Sequence, residues 1–352
     1  MNFNDTLQRL ESLNKHVTEG ETPRVKLDAN ENLFLPQELM RRYLREAADR
    51  SDSRLYPGSE AEELRETIAK AIGVDANQIV LGGGGDQLIN LLTTSLLREG
   101  EGLLSLTPTF SMYPNAASIR GLEYQEFPMS PELTFNPNEL LASVKDNTKM
   151  IEVVNPNNPT GVQFDETLMK RMVRGFNGPI LIDEAYVEYG RYSLVSLCKE
   201  YGNLIVLRTF SKAYGLAGLR LGYLVTGPRL ASALQGVQDP YPASGVAIQM
   251  GLRILNEKQL VEDAVEQLRK ERGWLSSELS KILGVSLILS DASFITFRTS
   301  LESSKVWVKL LRRGVAVRLV RDIPGLGDCL RVTVAPHQLL EEFLKCLKEM
   351  IV

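Results

Sequence analysis

A lysine directly after an apolar segment is the first residue of this sequence whose position suggests covalent chemistry. Lys212 follows the segment LIVLRT (204–209) and precedes a glycine-rich turn that ends at Arg220. A lysine amine forms a Schiff base readily only when it is partly desolvated or close to other cations. An isolated Ser211-Lys212 pair is more often part of a solvated loop, so the chemical interpretation requires partner residues elsewhere in the chain.

An aspartate ends a second apolar segment, PILIDEAY (179–186). We expect the carboxylate of Asp183 to project from the end of a buried strand, where it could pair with the protonated ring nitrogen of a pyridine-type cofactor. The alternatives are a helix N-cap and a metal-binding Asp-Glu pair. The only two histidines, His16 and His337, are distant in sequence, so we expect no metal.

Two turns rich in glycine or proline also follow apolar segments. The turn GGGGDQ (82–87) has neither common nucleotide-binding pattern, and it predicts a simple phosphate site on the backbone at a helix start. The turn NPNNPTG (155–161) would hold Asn158 rigidly against a ring oxygen, to which Tyr186 could also donate a hydrogen bond. An ordinary proline-rich turn is the alternative for the second segment.

These segments share one context, because each follows a short apolar run and amphipathic stretches separate the runs. The predicted strands lie at 78–82, 102–106, 150–155, 179–185, 203–209 and 222–226. Strands that alternate with helices predict an α/β domain with a mostly parallel central sheet and helices on both faces. Ligands of such sheets bind at the carboxyl ends of the strands, which is where these residues lie.

The pattern changes near two prolines, Pro240 and Pro242. A long helical pattern (243–283) is followed there by several short apolar runs, which predicts a smaller α+β domain. We therefore predict an N-terminal arm with a short helix at 1–30, a large α/β domain at 31–240 and a small C-terminal domain at 241–352.

The composition excludes several classes of protein. The 352 residues carry a net charge of −4 with no basic run, so we expect no nucleic-acid partner. There is no apolar run of membrane-spanning length, and the segment MNFNDTLQRLESL lacks the apolar core of a signal peptide. The three scattered cysteines do not suggest disulfides. We expect a cytoplasmic protein without a membrane partner.

Taken together, GGGGDQ, NPNNPTG, DEAY and SKAYGLAGLR resemble the fold-type I aminotransferases of class I/II, which depend on pyridoxal 5′-phosphate (PLP). Within that superfamily the sequence is most similar to the histidinol-phosphate aminotransferases. The segments that carry this second resemblance are LDANEN (27–32), RLYPGSE (54–60), PTFSMY (108–113), DPYP (239–242) and CLRVTV (329–334). The resemblance runs from about residue 25 to the C-terminus, and it implies the PLP-dependent transferase fold of type I.

The resemblance implies a set of residues that bind the cofactor. They are Lys212 as covalent attachment and proton carrier, Asp183 at the ring nitrogen, Asn158 and Tyr186 at the ring 3′ oxygen, Phe110 on the ring face, and Gly85, Asp86, Ser211 and Arg220 at the phosphate. Lys212, Asp183 and Tyr186 would be the catalytic residues. Tyr56 would reach the phosphate bound by a neighbouring subunit, which implies a homodimer with shared sites.

The resemblance also implies the substrates, an amino donor and a keto-acid acceptor. Arg331 would bind their anionic groups, with Asn158 and Tyr56 nearby, and Arg318 would be the second phosphate contact unless Arg321 takes that role. The implied reaction is transamination between histidinol phosphate and 2-oxoglutarate in histidine biosynthesis. An aromatic amino acid aminotransferase is the next alternative, and a lyase similar to threonine-phosphate decarboxylase is the third.

The sequence departs from the family pattern at three places. The segment SLNKHVTEGETP (12–23) has no tyrosine where the family usually has a Pro-Tyr pair. Gln87 stands where a glutamate usually follows the glycine turn, and the usual VTVGT ending is VTVAPH (332–337). These departures concern the substrate more than the cofactor.

Overall fold

The computed structural model describes residues 3–4, 7–8, 11 and 23–351. The predicted arm with its short helix falls mostly outside the described residues, and so does the tyrosine-free segment from 12 to 22. The strands are β1 (Val25–Lys26), β2 (Ile79–Gly82), β3 (Gly102–Thr107), β4 (Glu123–Pro128), β5 (Thr148–Val154), β6 (Ile180–Asp183), β7 (Leu204–Thr209), β8 (Gly222–Thr226), β9 (Ser286–Leu287), β10 (Phe294–Arg298), β11 (Val315–Ala316), β12 (Arg318–Ile323) and β13 (Gly327–Thr333).

Helices connect most of these strands. They are α1 (Gln37–Asp49), α2 (Ser59–Ile72), α3 (Gly85–Leu96), α4 (Met112–Arg120), α5 (Pro137–Ala142), α6 (Glu166–Gly175), α7 (Pro228–Val237), α8 (Gly245–Leu255), α9 (Lys258–Ser280), α10 (Ser303–Arg312) and α11 (His337–Ile351). No helix in the described part of the chain is long and apolar enough to cross a membrane.

The largest sheet has seven strands in the order β2-β8-β7-β6-β5-β3-β4. Strand β8 is antiparallel to both of its neighbours, and the other pairs are parallel. The central strands β6 and β7 are buried along their whole length, as expected for strands whose two faces are both covered by helices. The predicted mostly parallel sheet is confirmed, together with six of its strands.

The seventh strand, β4, is absent from the sequence prediction. Its sequence EYQEFP has exposed glutamates at Glu123 and Glu126, which point to opposite faces, because both faces of this edge strand are only partly covered. Charged residues are common on edge strands, where they discourage pairing with other chains. Strand β4 therefore forms without the apolar run by which the other strands of this sheet were predicted.

The smaller sheet, β12-β13-β10-β9, is antiparallel, and helices α10 and α11 accompany it in the chain. This confirms the predicted α+β unit. Strand β1 pairs in parallel with β11, so the start of the described chain adds to this unit. The division at 30/31 and 240/241 stays a prediction.

The predicted helix at 243–283 consists of two helices, α8 and α9. The break follows Asn256, whose side-chain amide donates to the Leu252 carbonyl at 2.9 Å and competes with the helical backbone bonds. Helix α8 packs beside α1, where the Arg253 guanidinium carbon lies 4.2 Å from the centre of the Tyr43 ring.

Candidate active site

A cavity of about 480 Å³ opens at the carboxyl ends of the parallel strands. The predicted site residues that line it are Gly85, Asp86, Phe110, Asn158, Asp183, Tyr186, Ser211, Lys212, Arg220, Arg318, Arg321 and Arg331. Tyr56 does not line it; this side chain is 76% exposed and stacks on Tyr241 with ring centres 4.3 Å apart. Segments separated by more than two hundred residues thus meet at one place, as the strand-end rule predicts.

One end of the cavity is built to receive an anion. Gly84, at φ 90°, turns the chain into helix α3, so the backbone N–H groups of the first helical turn lack intrahelical partners. A Cβ at Gly84 would lie 2.8 Å from the Arg220 Nη2, which in turn is 2.8 Å from the Asp86 Oδ2. The buried Ser211 hydroxyl has no hydrogen-bond partner among the described residues. A phosphate would satisfy both the hydroxyl and the guanidinium.

The residue that follows the anion end also departs from the family pattern. Gln87 accepts a hydrogen bond of 3.2 Å from the Gly83 backbone N–H through its Oε1. A glutamate could accept the same bond. The side chain therefore stabilises the glycine turn from within.

Asp183 also lines the cavity and is 3% exposed. Its Oδ2 accepts from the Tyr113 hydroxyl at 2.8 Å, and its Oδ1 accepts from the Ala185 N–H at 2.9 Å. Burial raises the pKa of Asp183 to about 6, although the Tyr113 hydroxyl and Ala185 N–H oppose this rise. No side chain within the described ranges forms an ion pair with Asp183, so a cation in the cavity would find an unpaired carboxylate there.

A three-residue segment, Asp28–Asn30, crosses the cavity and contacts three of the predicted residues. The Ala29 carbonyl accepts from the Lys212 Nζ at 2.9 Å, and the Asn30 side-chain amide donates to the Tyr186 hydroxyl at 2.9 Å. The Asp28 carbonyl accepts from the Arg331 Nη2 at 2.8 Å. This segment therefore orients the lysine, the tyrosine and the arginine together.

Arg331 is buried on β13. Its Nη1 donates to the Asn158 Oδ1 at 2.6 Å, and its Nε has no partner among the described residues. Burial lowers the pKa of Arg331, and the neighbouring Arg318 adds to this effect. A buried guanidinium with a free N–H and no carboxylate partner is a site for an anionic ligand.

The two candidates for a second anion contact differ in their partners. Arg321 forms an ion pair of 2.9 Å with Asp328. Arg318 faces Arg331 across the β12–β13 pairing, and no carboxylate in the described part of the chain pairs with it. Arg318 is therefore the cation that remains available to a ligand.

Sequence reasoning missed several residues of the site. Tyr113, Asn30 and the carbonyls of Asp28 and Ala29 were not singled out, although the segments LDANEN and PTFSMY that contain them were. Their contacts link residues that are 70 or more positions apart in the chain, so periodicity gives no signal for them. No group of three or more potential metal ligands occurs among the residues that the structure describes.

The geometry defines a class of enzyme. A flat ring with a phosphate at one end and a protonated nitrogen at the other would bring its charges to Ser211 and Arg220 and to Asp183. Lys212 lines the same cavity on the chain that follows β7, and its amine donates to the Ala29 carbonyl. These are the requirements of PLP, and the residues present satisfy them.

Comparisons with known proteins agree with this class. Residues 22–347 match the family described as aminotransferase class I and II. The chain is 33% identical over 330 residues to the histidinol-phosphate aminotransferase of Thermoanaerobacter pseudethanolicus, which covers 93% of each chain. It is 31% identical over 331 residues to that of Clostridium novyi, covering 94% of this chain and 92% of the relative.

A solved structure has the same fold. The histidinol-phosphate aminotransferase from Sinorhizobium meliloti in complex with pyridoxal 5′-phosphate superposes with a TM-score of 0.86 at 21% identity, over 100% of this chain and 95% of that chain. The chain belongs to the aminotransferase class I and II family. It is a PLP-dependent aminotransferase, an enzyme that transfers an amino group from an amino donor to a keto acid.

Proposed function

We propose that the enzyme transfers the amino group of histidinol phosphate to 2-oxoglutarate, as a step of histidine biosynthesis. The observation that carries this proposal is a pair of guanidinium groups at one wall of the cavity, on the adjacent strands β12 and β13. Arg331 is buried, and Arg318 has no carboxylate partner among the described residues. A guanidinium fork suits both phosphate and carboxylate; histidinol phosphate brings a phosphate and no carboxylate, and 2-oxoglutarate brings carboxylates. The relatives named above support the same assignment.

The residues that would hold PLP follow from the contacts of the site. Asp183 would pair with the ring nitrogen, Asn158 and Tyr186 would bind the 3′ oxygen, and Phe110 would cover one ring face. Gly85, Asp86, Ser211 and Arg220 would bind the phosphate. When bound, PLP supplies an electron sink for the bond that breaks at the substrate carbon.

The chain's own contribution is orientation and proton transfer. Lys212 would attach PLP covalently and, once its amine is free, carry the proton to and from the substrate carbon that bears nitrogen. Ala29, whose carbonyl accepts from the Lys212 Nζ at 2.9 Å, would hold that amine in the cavity. Asn30 would leave the Tyr186 O–H free to donate, because the hydroxyl oxygen accepts from the Asn30 amide.

We also infer a homodimer in which Tyr56 reaches the phosphate of the neighbouring subunit, and a cytoplasmic location. Tyr56 supports this arrangement because its side chain is 76% exposed although one ring face stacks on Tyr241, and because it does not line the cavity of its own chain. Sedimentation should give a dimer, and Tyr56→Phe should weaken PLP binding. A monomer with full activity would contradict this arrangement.

A substrate panel tests the function. Each of histidinol phosphate and phenylalanine is offered with 2-oxoglutarate, and phosphothreonine is offered alone. We expect turnover with histidinol phosphate to exceed that with phenylalanine at least tenfold in kcat/KM. A preference for phenylalanine would assign the enzyme to aromatic amino acids, and release of carbon dioxide from phosphothreonine would assign it to the lyases.

Two matched arginine variants locate the phosphate contact. Arg318→Gln should raise the KM for histidinol phosphate about tenfold or more, because it removes a charged hydrogen bond of roughly 1.5–3 kcal/mol. Arg321→Gln is the control, since Arg321 already pairs with Asp328. Equal effects of the two variants would remove Arg318 from the substrate site.

A further inference from the structure

A buried carboxyl group lies behind the cavity wall and takes no part in the functions proposed above. Glu152, on β5, is fully buried and shares a sheet face with Val154, which lines the cavity. Its Oε1 accepts a hydrogen bond of 3.0 Å from the Thr109 hydroxyl. Its Oε2 has no partner among the described residues. Burying a glutamate in a strand is costly, even though the hydroxyls of Ser105 and Thr109 stabilise its charged form, so its presence requires an explanation.

The groups around Glu152 leave it without a positive neighbour. Ser105 lies opposite on β3, and the hydroxyls of Tyr124 on β4 and Tyr113 on α4 feel its charge. Asp183 on β6 is the nearby carboxylate. Burial first, and Asp183 in addition, raise the pKa of Glu152 to about 8. The side chain is therefore mostly neutral at pH 7 and can serve as a hydrogen-bonding group rather than as a charge.

The partner of Glu152 belongs to the wall of the cofactor cavity. Pro108, Thr109 and Phe110 are consecutive residues, and all three line the cavity. The Pro108 carbonyl accepts from the Asn157 side-chain amide at 3.1 Å, which ties one end of the wall to the turn after β5. The Thr109–Glu152 hydrogen bond ties the residue adjacent to Phe110 to β5 itself.

We propose that Glu152 is a positioning residue of the PLP site, which holds Thr109 and thereby fixes the Phe110 ring against the face of the cofactor. The inference rests on the proposed stacking of Phe110 on PLP. Glu152 does not line the cavity, so it would act only through Thr109, which does. Since stacking depends on the tilt between two rings, a small movement of the wall changes both the affinity for PLP and the asymmetry of its surroundings.

The test compares PLP binding by the wild type, three single variants of the Glu152–Thr109 pair, the double variant Glu152→Leu/Thr109→Val, and Phe110→Leu. Glu152→Gln keeps an acceptor for the Thr109 hydroxyl and has no charge. Glu152→Leu removes the acceptor, and Thr109→Val removes the donor. PLP is titrated into each apoprotein at pH 7, and both the dissociation constant and the visible circular dichroism of the bound cofactor are recorded. Thermal unfolding checks that each variant is folded.

We expect Glu152→Leu and Thr109→Val each to weaken PLP binding about fivefold, the effect of one buried hydrogen bond, and to reduce the circular dichroism per bound PLP. The double variant should be no weaker than either single variant, because both remove the same contact. Glu152→Gln should match the wild type in both measurements. A general structural role would not predict this rescue.

Three results would overturn the proposal. The first is that Glu152→Leu and Thr109→Val bind PLP with wild-type affinity and dichroism. The second is that the losses of PLP affinity add up in the double variant. The third is that Glu152→Gln binds PLP as weakly as Glu152→Leu. If Phe110→Leu binds PLP as tightly as the wild type with unchanged dichroism, the proposed stacking fails instead. That outcome is separate, because the coupling between Glu152 and Thr109 can still be measured in the double variant.

Discussion

Replacing Glu152 with glutamine should stabilise the folded protein at neutral pH, by an amount that grows with pH. The carboxyl group has a pKa of about 8 in the fold, against 4.5 in the unfolded chain. A raised pKa of an acid means that the folded state binds a proton that the unfolded state has released. Stability therefore falls as the pH rises above 4.5, and the loss is complete only above 8.

The size of the effect follows from these two values. The value pH 7 lies about 2.5 units above the pKa of this carboxyl in the unfolded chain, and each unit corresponds to about 1.4 kcal/mol of unfolding free energy. The penalty at pH 7 is therefore on the order of 3 kcal/mol, and it disappears near pH 4.5. A neutral glutamine that keeps the Thr109 hydrogen bond escapes this penalty.

Urea unfolding of the wild type and Glu152→Gln at pH 5, 6, 7 and 8, with PLP held constant, measures the difference. The midpoint of Glu152→Gln should move progressively above that of the wild type across this range. Glu126→Gln is the control, because Glu126 is an exposed acid on the edge strand β4. A difference between wild type and Glu152→Gln that stays constant with pH would refute the assignment of a raised pKa to Glu152.

Three further predictions concern the cofactor site. Lys212→Ala should lower kcat by at least about a thousandfold, while PLP still binds noncovalently. Steady-state kinetics and the absorbance of protein-bound PLP after gel filtration check these two effects. Near-normal turnover would contradict the role of Lys212. Asp183→Asn should weaken PLP binding at least tenfold. The PLP affinity of the wild type should fall as the pH drops through about 6, because Asp183 becomes protonated there. Titrations with PLP at pH 5 and 8 test both predictions. Tyr113→Phe removes the donor to the Asp183 Oδ2, so the midpoint of that pH dependence should rise, whereas an unchanged midpoint would mean that the hydroxyl does not stabilise the carboxylate.

The parts of the fold that sequence predicted well are those decided by local composition. Strands β5, β6 and β7 are apolar runs, since both of their faces are covered, and their positions followed from that alone. The edge strand β4 was not predicted because its faces are only partly covered and carry exposed glutamates, so it has no apolar run. The long pattern at 243–283 concealed the break at Asn256, where one side chain competes with the backbone.

In the site, too, residues that could be predicted from the neighbouring sequence differ from residues whose role depends on long-range contacts. Lys212 and Asp183 follow apolar strands, so their place at the strand ends was predictable. The choice between Arg318 and Arg321 was not, because it depends on an ion pair with Asp328. The Tyr113 hydroxyl belongs to the site through a hydrogen bond to Asp183, 70 residues away in the chain, which local sequence does not reveal.

The segment Asp28–Asn30 has a consequence for the order of events during synthesis of the protein. The segment leaves the ribosome early, but two of its partners are synthesised only near the end of the chain. These are Arg331, which donates to the Asp28 carbonyl, and Thr333, whose hydroxyl accepts from the Asn30 N–H. A nascent chain that stops before β12 already contains Lys212 and Tyr186, which bond to this segment, yet it lacks Arg331 and Thr333. This wall of the cofactor site can therefore reach its finished geometry only in a chain that extends through β13.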